Sequence, residues 1–292
     1  MRTIWQADLS RRPLTDQSGG LLWSLLLCSA DGSWQFSAQA PQTEISGQWV
    51  NLKLALALAD RPEVEAASLT LHVFRPQSFS LIAAGAEPLG IQVEPTRHTP
   101  TLKAVLQALK ESSRQPDWDP LTLEEMPPQP LPERLRGDRW RFAALPAGEV
   151  ERSFEARPIP IVDLPAARSP LKLGIKSTQL IPGLIIEGGR TSMQLARWLL
   201  SIRPYALSYV AGAPDGVILQ AGLAERWVMA TFEDTEVAEA GRLFQQRRLE
   251  ARGLHFLLIQ PDDSGITYSG IWLLQNQEED PGGIDQNWSA GH

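Results

Sequence analysis

LLWSLLLCSADGSWQFSAQ, Leu21 to Gln39, is the stretch on which the fold turns. Two β-rich runs flank Asp31-Gly32, a pair whose glycine accepts positive φ at no steric cost, so the stretch reads as a β-hairpin. TIWQADL, from Thr3, supplies a strand before it. ISGQWVNLKLALALAD, after it, reads as a helix whose apolar stripe is Trp49, Leu52, Leu56 and Ala59. SLTLHVF (Ser68 to Phe74) is a further strand, PQSFSLIAAGAEPLG a short helix ending at a glycine, and IQVEPT another strand. TPTLKAVLQALKES is a helix with Pro100 near its start, Leu102, Val105, Leu106 and Leu109 on one face, and Lys110 near its end.

The order is therefore β-β-β-α-β-α-β-α. Three antiparallel strands followed by two αβ crossovers predict a ribonuclease-H-like mixed sheet with helices over residues 1–112. Residues 113–130 read as a linker: Pro116, Pro120, Pro127, Pro128 and Pro130 stiffen it, and Asp117, Asp119, Glu124 and Glu125 repel one another. A second domain is expected over 131–276. GDRWRFAALPA is a strand there, Arg157 to Pro170 a long proline-rich surface loop, and LIPGLIIEG a strand. TSMQLARWLLSI is a helix capped by Thr191 or Ser192. YALSYVAG, GVILQAGL and RWVMATF form a meander. DTEVAEAGRLFQQRRLEARG is a long helix between Asp234 or Thr235 and Gly253. LHFLLIQ and TYSGIWLLQ close as a hairpin. The fold class is two-domain, α+β with an α/β-type first half. Residues 277–292, acidic and glycine-rich, read as a loose tail.

Cys28 is the sole cysteine, which excludes an internal disulfide and a cysteine-based zinc site and fits a reducing compartment. The histidines (His72, His98, His255, His292) are too scattered to predict a metal site. No apolar run approaches the roughly 20 residues that cross a bilayer. With a strand already at Thr3, no leader is expected, which points to the cytoplasm. The formal net charge of −7 argues against non-specific coating of nucleic acid, so any RNA contact must use local basic clusters. Three exist: Arg134, Arg136, Arg139 and Arg141; Arg168, Lys172 and Lys176; and Arg242, Arg247, Arg248 and Arg252.

A ribonuclease-H-like fold raises the question of metal-dependent cleavage, which needs several carboxylates converging on divalent ions. Asp8 stands where the first could be. The first helix offers no acid between Ile45 and Ala59, and SLTLHVF offers none either, so Asp8 reads as a structural acceptor. No catalytic residue, metal or cofactor is expected. Gly188-Gly189, between a strand and a helix, could bind an anion through backbone N–H groups or simply make a tight turn.

LPERLRGDRWRF, Leu131 to Phe142, concentrates the basic and aromatic signal. As a strand it sends Trp140 and Phe142 to one face and Arg139 and Arg141 to the other. AERWVMATF repeats the pattern with Arg226 and Trp227. Both tryptophans read as mainly buried supports. The arginines stay open as RNA ligands, because guanidinium stacks on bases and forks onto phosphates. A separate cluster is predicted from topology. Arg12, Arg75 and Arg97 each follow one of three adjacent parallel strands, whose carboxyl ends share an edge. They are expected to converge on a phosphate or carboxylate, with Asp8 holding one guanidinium in place.

W-x-x-D-x-x-x-R-P at Trp5, Asp8, Arg12 and Pro13 resembles the N-terminal signature of the Tab-two/Atab-two family of cyanobacteria and chloroplasts. LPERLRGDRW, LIPGLII, ERWVMATF, and GLHFLLIQ followed by GIWLLQ resemble its C-terminal domain in the same order. The chain departs from the pattern at Leu9-Ser10, at LLWSLLLC and at Pro95-Thr96-Arg97-His98-Thr99. The resemblance implies a non-catalytic RNA-binding factor that supports translation of a photosystem I reaction-centre mRNA, with a single-stranded mRNA leader as partner. The alternative is a protein-binding assembly factor that engages photosystem I subunits or the translation machinery. Without a transit peptide, a cyanobacterial cytoplasmic member is expected over a stromal one.

Overall fold

The computed structural model describes residues 3–15, 19–113, 115, 117–123, 126–150, 152–155 and 157–276. The chain divides into two compact units, Met1–Glu125 and Met126–His292. The expected tail over 277–292 lies outside the described residues, as do Pro116, Glu124 and Glu125 of the expected linker.

In the first unit β1 (Thr3–Thr15), β2 (Leu21–Ser29) and β3 (Gln35–Pro41) form an antiparallel meander. β4 (Leu69–Val73) and β5 (Gln92–Pro95) add in parallel on the other side of β1, giving the order β3-β2-β1-β4-β5. This is the ribonuclease-H-like connectivity. The hairpin turn is built as its sequence implied: Gly32 takes φ 75°, and the Asp31 carboxylate accepts from Ser29 Oγ at 2.5 Å and Ser33 N at 3.0 Å. Those bonds, with one from Ser33 Oγ, hold the Asp31 pKa down at about 2.

β1 is longer than TIWQADL, and its alternation organises the unit. Trp5, Ala7 and Leu9 enter one core with Leu25, Leu27, Leu71 and Val73, beneath α1 (Gly47–Asp60) and α2 (Pro76–Ala86). Gln6, Asp8, Ser10 and Arg12 face the opposite way and are buried as well. On that side Leu26, Cys28 and Phe74 pack against Leu102 and Leu106 of α3 (Pro100–Ser112). Gln6 Oε1 accepts from Leu102 N at 2.8 Å and so caps α3, a role the preceding Thr99 does not fill. Burial pushes the Cys28 thiol up to about 12, as befits a core residue.

The stripe expected to pack on α1 is corrected. Val50, Leu54 and Ala57 are the buried residues, while Leu52 and Leu56 are 55% and 49% exposed. NLKLALALA carries apolar side chains on two faces, so periodicity alone cannot choose between them. The rotation is set by α2: a Cβ on Gly85 would come within 2.7 Å of the Val50 Cβ, and Asn51 Nδ2 donates to Gly85 O at 2.9 Å. Only a glycine lets the helices approach with Val50 at the contact.

The linker reading is also modified. Leu121 and Leu123 pack, half-buried, against the α3 side of the first unit. Gln129–Pro130 forms a two-residue strand, β6, in the second. β7 (Arg139–Pro146), β9 (Leu180–Glu187), β13 (Leu254–Gln260), β14 (Gly270–Gln275) and β8 (Ile161–Asp163) make a five-stranded sheet in that order. The stretch read as a surface loop thus contributes an edge strand, β8, parallel to β14. β10 (Pro204–Val210), β11 (Asp215–Ala221) and β12 (Glu225–Phe232) form the expected meander, extended by β6. Two short helices, α4 (Ala147–Val150) and α5 (Arg152–Glu155), precede β8; α6 (Ser192–Ile202) and α7 (Thr235–Glu250) are the longer ones. Asp234 caps α7 by accepting from Glu236 N and Val237 N. Thr191 does not cap α6; its hydroxyl donates to Gly188 O at 2.9 Å.

β13 and β14 are buried on both faces, which explains their unbroken apolar runs. Leu257, Ile259, Trp272 and Leu274 join the α6, α7 and β11 side; Phe256, Leu258, Ile271 and Leu273 join α4 and α5. In LIPGLII, a Cβ on Gly183 would run into the Phe256 ring. The middle of edge strand β10, at Ala206 and Leu207, is buried, so the outward backbone groups there need partners. His255 Nε2 accepts from Leu207 N at 2.7 Å, and the buried Arg248 donates to Leu207 O and to Ser208 Oγ (3.1 Å). The third basic cluster is therefore partly scaffold.

Two outcomes follow from this packing. Leu54→Ala should cost about 2–5 kcal/mol in urea denaturation, and Leu52→Ala no more than about 0.5 kcal/mol. Equal costs would show that the helix rotation is wrong. His255, fully buried beside Arg248, has its pKa lowered from 6.5 to about 3 by desolvation and then by Arg248. The unfolded imidazole takes a proton below about pH 6.5 and the folded one only near 3, so stability falls as pH drops through that window. The loss from this group is at most about 1.4 kcal/mol per pH unit. Between pH 7 and 5 the wild type should lose more urea stability than His255→Gln; an equal loss would remove His255 as the cause.

Candidate functional site

In the second unit, LPERLRGDRW is anchored by two plugs. Leu131 and Leu135 are buried in the core, and Asp138 N donates to Glu187 O at 2.7 Å. That clamp leaves Arg136 and Arg139 projecting beside a cleft of about 450 Å³. Trp140, Ile186, Met229 and Thr231 line its wall and floor. Arg136 and Arg139 are exposed, and neither guanidinium has a hydrogen bond or ion pair among the described residues. Arg141 is committed: it pairs with Glu187 at 2.6 Å. Trp140 is half-buried, its ring 5.5 Å from Phe142 and 5.2 Å from Phe232.

The cleft also presents backbone. β7 is an edge strand, and β6 covers only Trp227 and Val228 of β12. From Met229 onward, β12 has no strand partner on that side among the described residues. Arg226 and Trp227 lie outside the cleft lining. Arg226 Nη1 reaches Met126 O at 3.4 Å. Trp227 packs edge-on against Trp198 at 5.2 Å, its indole N–H buried without an acceptor. An open strand edge, two unpaired cations and an aromatic wall can hold an extended anionic chain, with the cations on charge and the ring on flat groups.

In the first unit Asp8, wholly buried, binds one of the three predicted arginines and acts through space on a second. Its Oδ1 accepts from Arg75 Nε at 2.7 Å and its Oδ2 from Ser10 Oγ at 2.6 Å. Arg12 is not past the end of a strand, as expected, but within β1, two residues beyond Ser10 on the same face. Burial lowers its pKa from the ordinary value, Asp8 raises it, and the neighbouring Arg75 lowers it again. Arg97 is half-buried in the turn after β5 and engaged within the chain. A direct bond brings Arg75 to Asp8, Arg12 lies near enough to feel both charges, and no described contact joins Arg97 to Asp8.

Sequence reasoning missed what covers this cluster. Arg75 Nη2 donates to Pro120 O at 2.6 Å and its Nη1 to Thr122 O at 3.4 Å, and the Arg12 guanidinium lies 5.2 Å from the Trp118 ring centre. All three partners sit in the stretch read as linker. Among the described residues no group of three or more His, Cys, Asp or Glu side chains could hold a metal ion. No helix among the described residues is long and apolar enough to cross a membrane.

These features define a two-domain α+β protein that carries an arginine cluster in each unit. The chain belongs to the Tab2/Atab2 family of RNA-binding proteins: the N-terminal family model matches residues 4–109 and the C-terminal one residues 118–275. It is similar to the TAB2 homolog, chloroplastic, of Zea mays, at 29% identity over 283 residues, 92% of this chain and 70% of that protein. The Arabidopsis thaliana TAB2 homolog, chloroplastic, matches at 29% over 284 residues, covering 92% and 74%. Among solved structures, a chain of the simian T-cell lymphotropic virus intasome in complex with PP2A regulatory subunit B56 gamma matches at 12% identity. It covers 39% of this chain and 43% of that one at a TM-score of 0.25, too low to carry an argument.

Proposed function

We propose that the chain binds single-stranded RNA in the cleft beside Arg136, Arg139 and Trp140, as a non-catalytic factor supporting translation of a photosystem I reaction-centre mRNA. The observation that carries this reading is the pair of unpaired, exposed guanidinium groups next to a half-buried indole in one cleft. Unpaired RNA offers phosphates and base faces together, which is what that combination takes. Membership of an RNA-binding family supports the ligand class. The photosystem message rests on the resemblance, and the chloroplastic names of the plant relatives agree with it. Those names also weigh against ranking the stroma below the cyanobacterial cytoplasm; the factor acts where photosystem I messages are translated.

Changing Arg136 and Arg139 together to Ala should weaken binding of a single-stranded oligoribonucleotide and flatten its salt dependence, by a slope of about 0.7 per arginine. Unchanged affinity and slope would move the site elsewhere. Trp140→Ala is the less clean variant, because Phe142 and Phe232 lose a packing partner as well.

The reading as a protein-binding assembly factor is favoured by a different observation, the open edge of β12, which could accept an extended peptide from a photosystem I subunit or the translation machinery. Such binding would depend little on Arg136 and Arg139 if main-chain bonds carry it, which separates the two.

The non-catalytic part rests on Asp8. A carboxylate bonded at 2.7 Å to Arg75 is neutralised by the protein's own cation, where metal-dependent cleavage would require a divalent ion. Single-stranded RNA and an RNA–DNA hybrid should both stay intact with magnesium. Cleavage abolished by Asp8→Asn would overturn this.

A further inference from the structure

We infer that Arg12 and Arg75 form a receptor for one phosphoryl group, with Trp118 as the cover that it displaces. The site is in the first unit and independent of the cleft proposed for RNA.

Among the described residues the charges at this cluster do not balance. Asp8 is, among the described residues, the one acid acting on Arg12, and it is bonded directly to Arg75. Arg12 shares that same carboxylate through space, so two cations meet one anion. Arg12 is 5% exposed, and its Nη1 is fully buried with no hydrogen-bond partner. A guanidinium cannot escape such a position by losing its proton in the physiological range. A buried charged donor without an acceptor is a standing cost to the fold. Native structures retain few such groups, and an absent anion is a recognised reason for one.

What now occupies the site is a neutral substitute. Carbonyl oxygens of Pro120 and Thr122 accept from Arg75, in the way that the oxygens of a ligand would. The Trp118 ring lies over Arg12 and is itself half-exposed. The neighbouring tie is the pair Lys110–Asp119 at 2.8 Å, more than a third exposed on both sides and therefore weak. The cover can yield from Trp118 to Pro120, which frees Arg75 Nη2 as well as the face of Arg12, while Leu121 and Leu123 stay packed on the core.

Placement points the same way. β1 pairs with β4 from Thr3 to Ala7, so Asp8 to Arg12 run on past the end of β4, and Arg75 follows that end directly. Ligands of open α/β sheets bind at this edge. A forked guanidinium pair matches the several oxygens of a phosphoryl group better than a lone carboxylate, which the cluster already contains. Arg12 is enclosed and the Arg75 side chain is only 13% exposed, so a terminal phosphate, which needs one open side, fits better than a phosphodiester within a strand. A free mononucleotide or the 5′ end of an RNA carries that chemistry.

Calorimetric titration of the whole chain tests this with inorganic phosphate, acetate, and one oligoribonucleotide bearing either a 5′ phosphate or a 5′ hydroxyl. Phosphate should bind and acetate should bind at least ten-fold more weakly. Trp118→Ala should tighten phosphate binding several-fold, and Arg12→Gln should weaken it at least ten-fold. A preference for the 5′-phosphorylated RNA that survives Arg136→Ala with Arg139→Ala, but not Arg12→Gln, assigns the ligand to RNA ends. Phosphate binding without that preference assigns it to a small phosphorylated molecule. If Arg12→Gln fails to fold, as judged by circular dichroism, the Trp118→Ala result decides. No phosphate binding by wild type and Trp118→Ala, equal acetate binding, or phosphate binding indifferent to Arg12→Gln in folded protein would each overturn the proposal. Loss of RNA binding at the cleft alone leaves it standing.

Discussion

An arginine enclosed by a fold keeps its charge, and each unit is arranged around that constraint. In the first, Arg75 is placed by Asp8, whose own burial is tolerable because Ser10 and a guanidinium satisfy it. In the second, Arg248 is placed by backbone: its guanidinium and the neutral His255 take the outward carbonyl and N–H of Leu207. Those groups would otherwise be stranded on the buried edge of β10. Cation and histidine act together, since a positive Arg248 helps keep His255 uncharged and therefore able to accept from Leu207 N.

The same constraint separates two kinds of arginine that look alike in sequence. Arg139 and Arg141 are two residues apart on one face of β7, yet Glu187 engages only the second. Arg12 and Arg11 are adjacent, yet strand alternation buries one and exposes the other. A basic cluster read along the chain therefore overstates the charge available to a ligand. What decides is whether an acid or a carbonyl lies opposite, and that is a property of register.

Much of the first unit was legible because its signals were local. Asp31-Gly32 fixed the hairpin, and the period of Leu102, Val105, Leu106 and Leu109 fixed the packed face of α3. The fully apolar runs of β13 and β14 were legible for a related reason, since strands buried on both faces cannot hide their composition. The errors fell where a distant partner decided. Helix α1 offers two apolar faces, and Gly85, far along the chain, selects Val50 and Leu54 rather than Leu52 and Leu56. Proline and acid in Asp117 to Leu123 read as extended linker, yet Arg75 claims its carbonyls. Ile161–Asp163 is too short to announce itself and becomes a strand only beside β14. At the candidate sites, the meeting of Arg75 with Asp8 was foreseeable from strand order, whereas the partner of Arg141 and the cover on Arg12 were not.

A formal charge of −7 and a nucleic-acid ligand are compatible once distance is considered. At physiological ionic strength an exposed charge is screened over about 8 Å, so acids spread over the surface do little at a cleft they do not line. Arg136 and Arg139 stand beside apolar floor and an indole, where solvent is partly excluded and field is less damped. Acidity spread over most of the surface gives a polyanion little to hold there, whereas on the proposed reading the two cations at the cleft give it a local hold. Net acidity thus acts against indiscriminate binding while leaving a shaped site its affinity. On the proposed reading, that division suits selection of one message among many better than indiscriminate coating of them all.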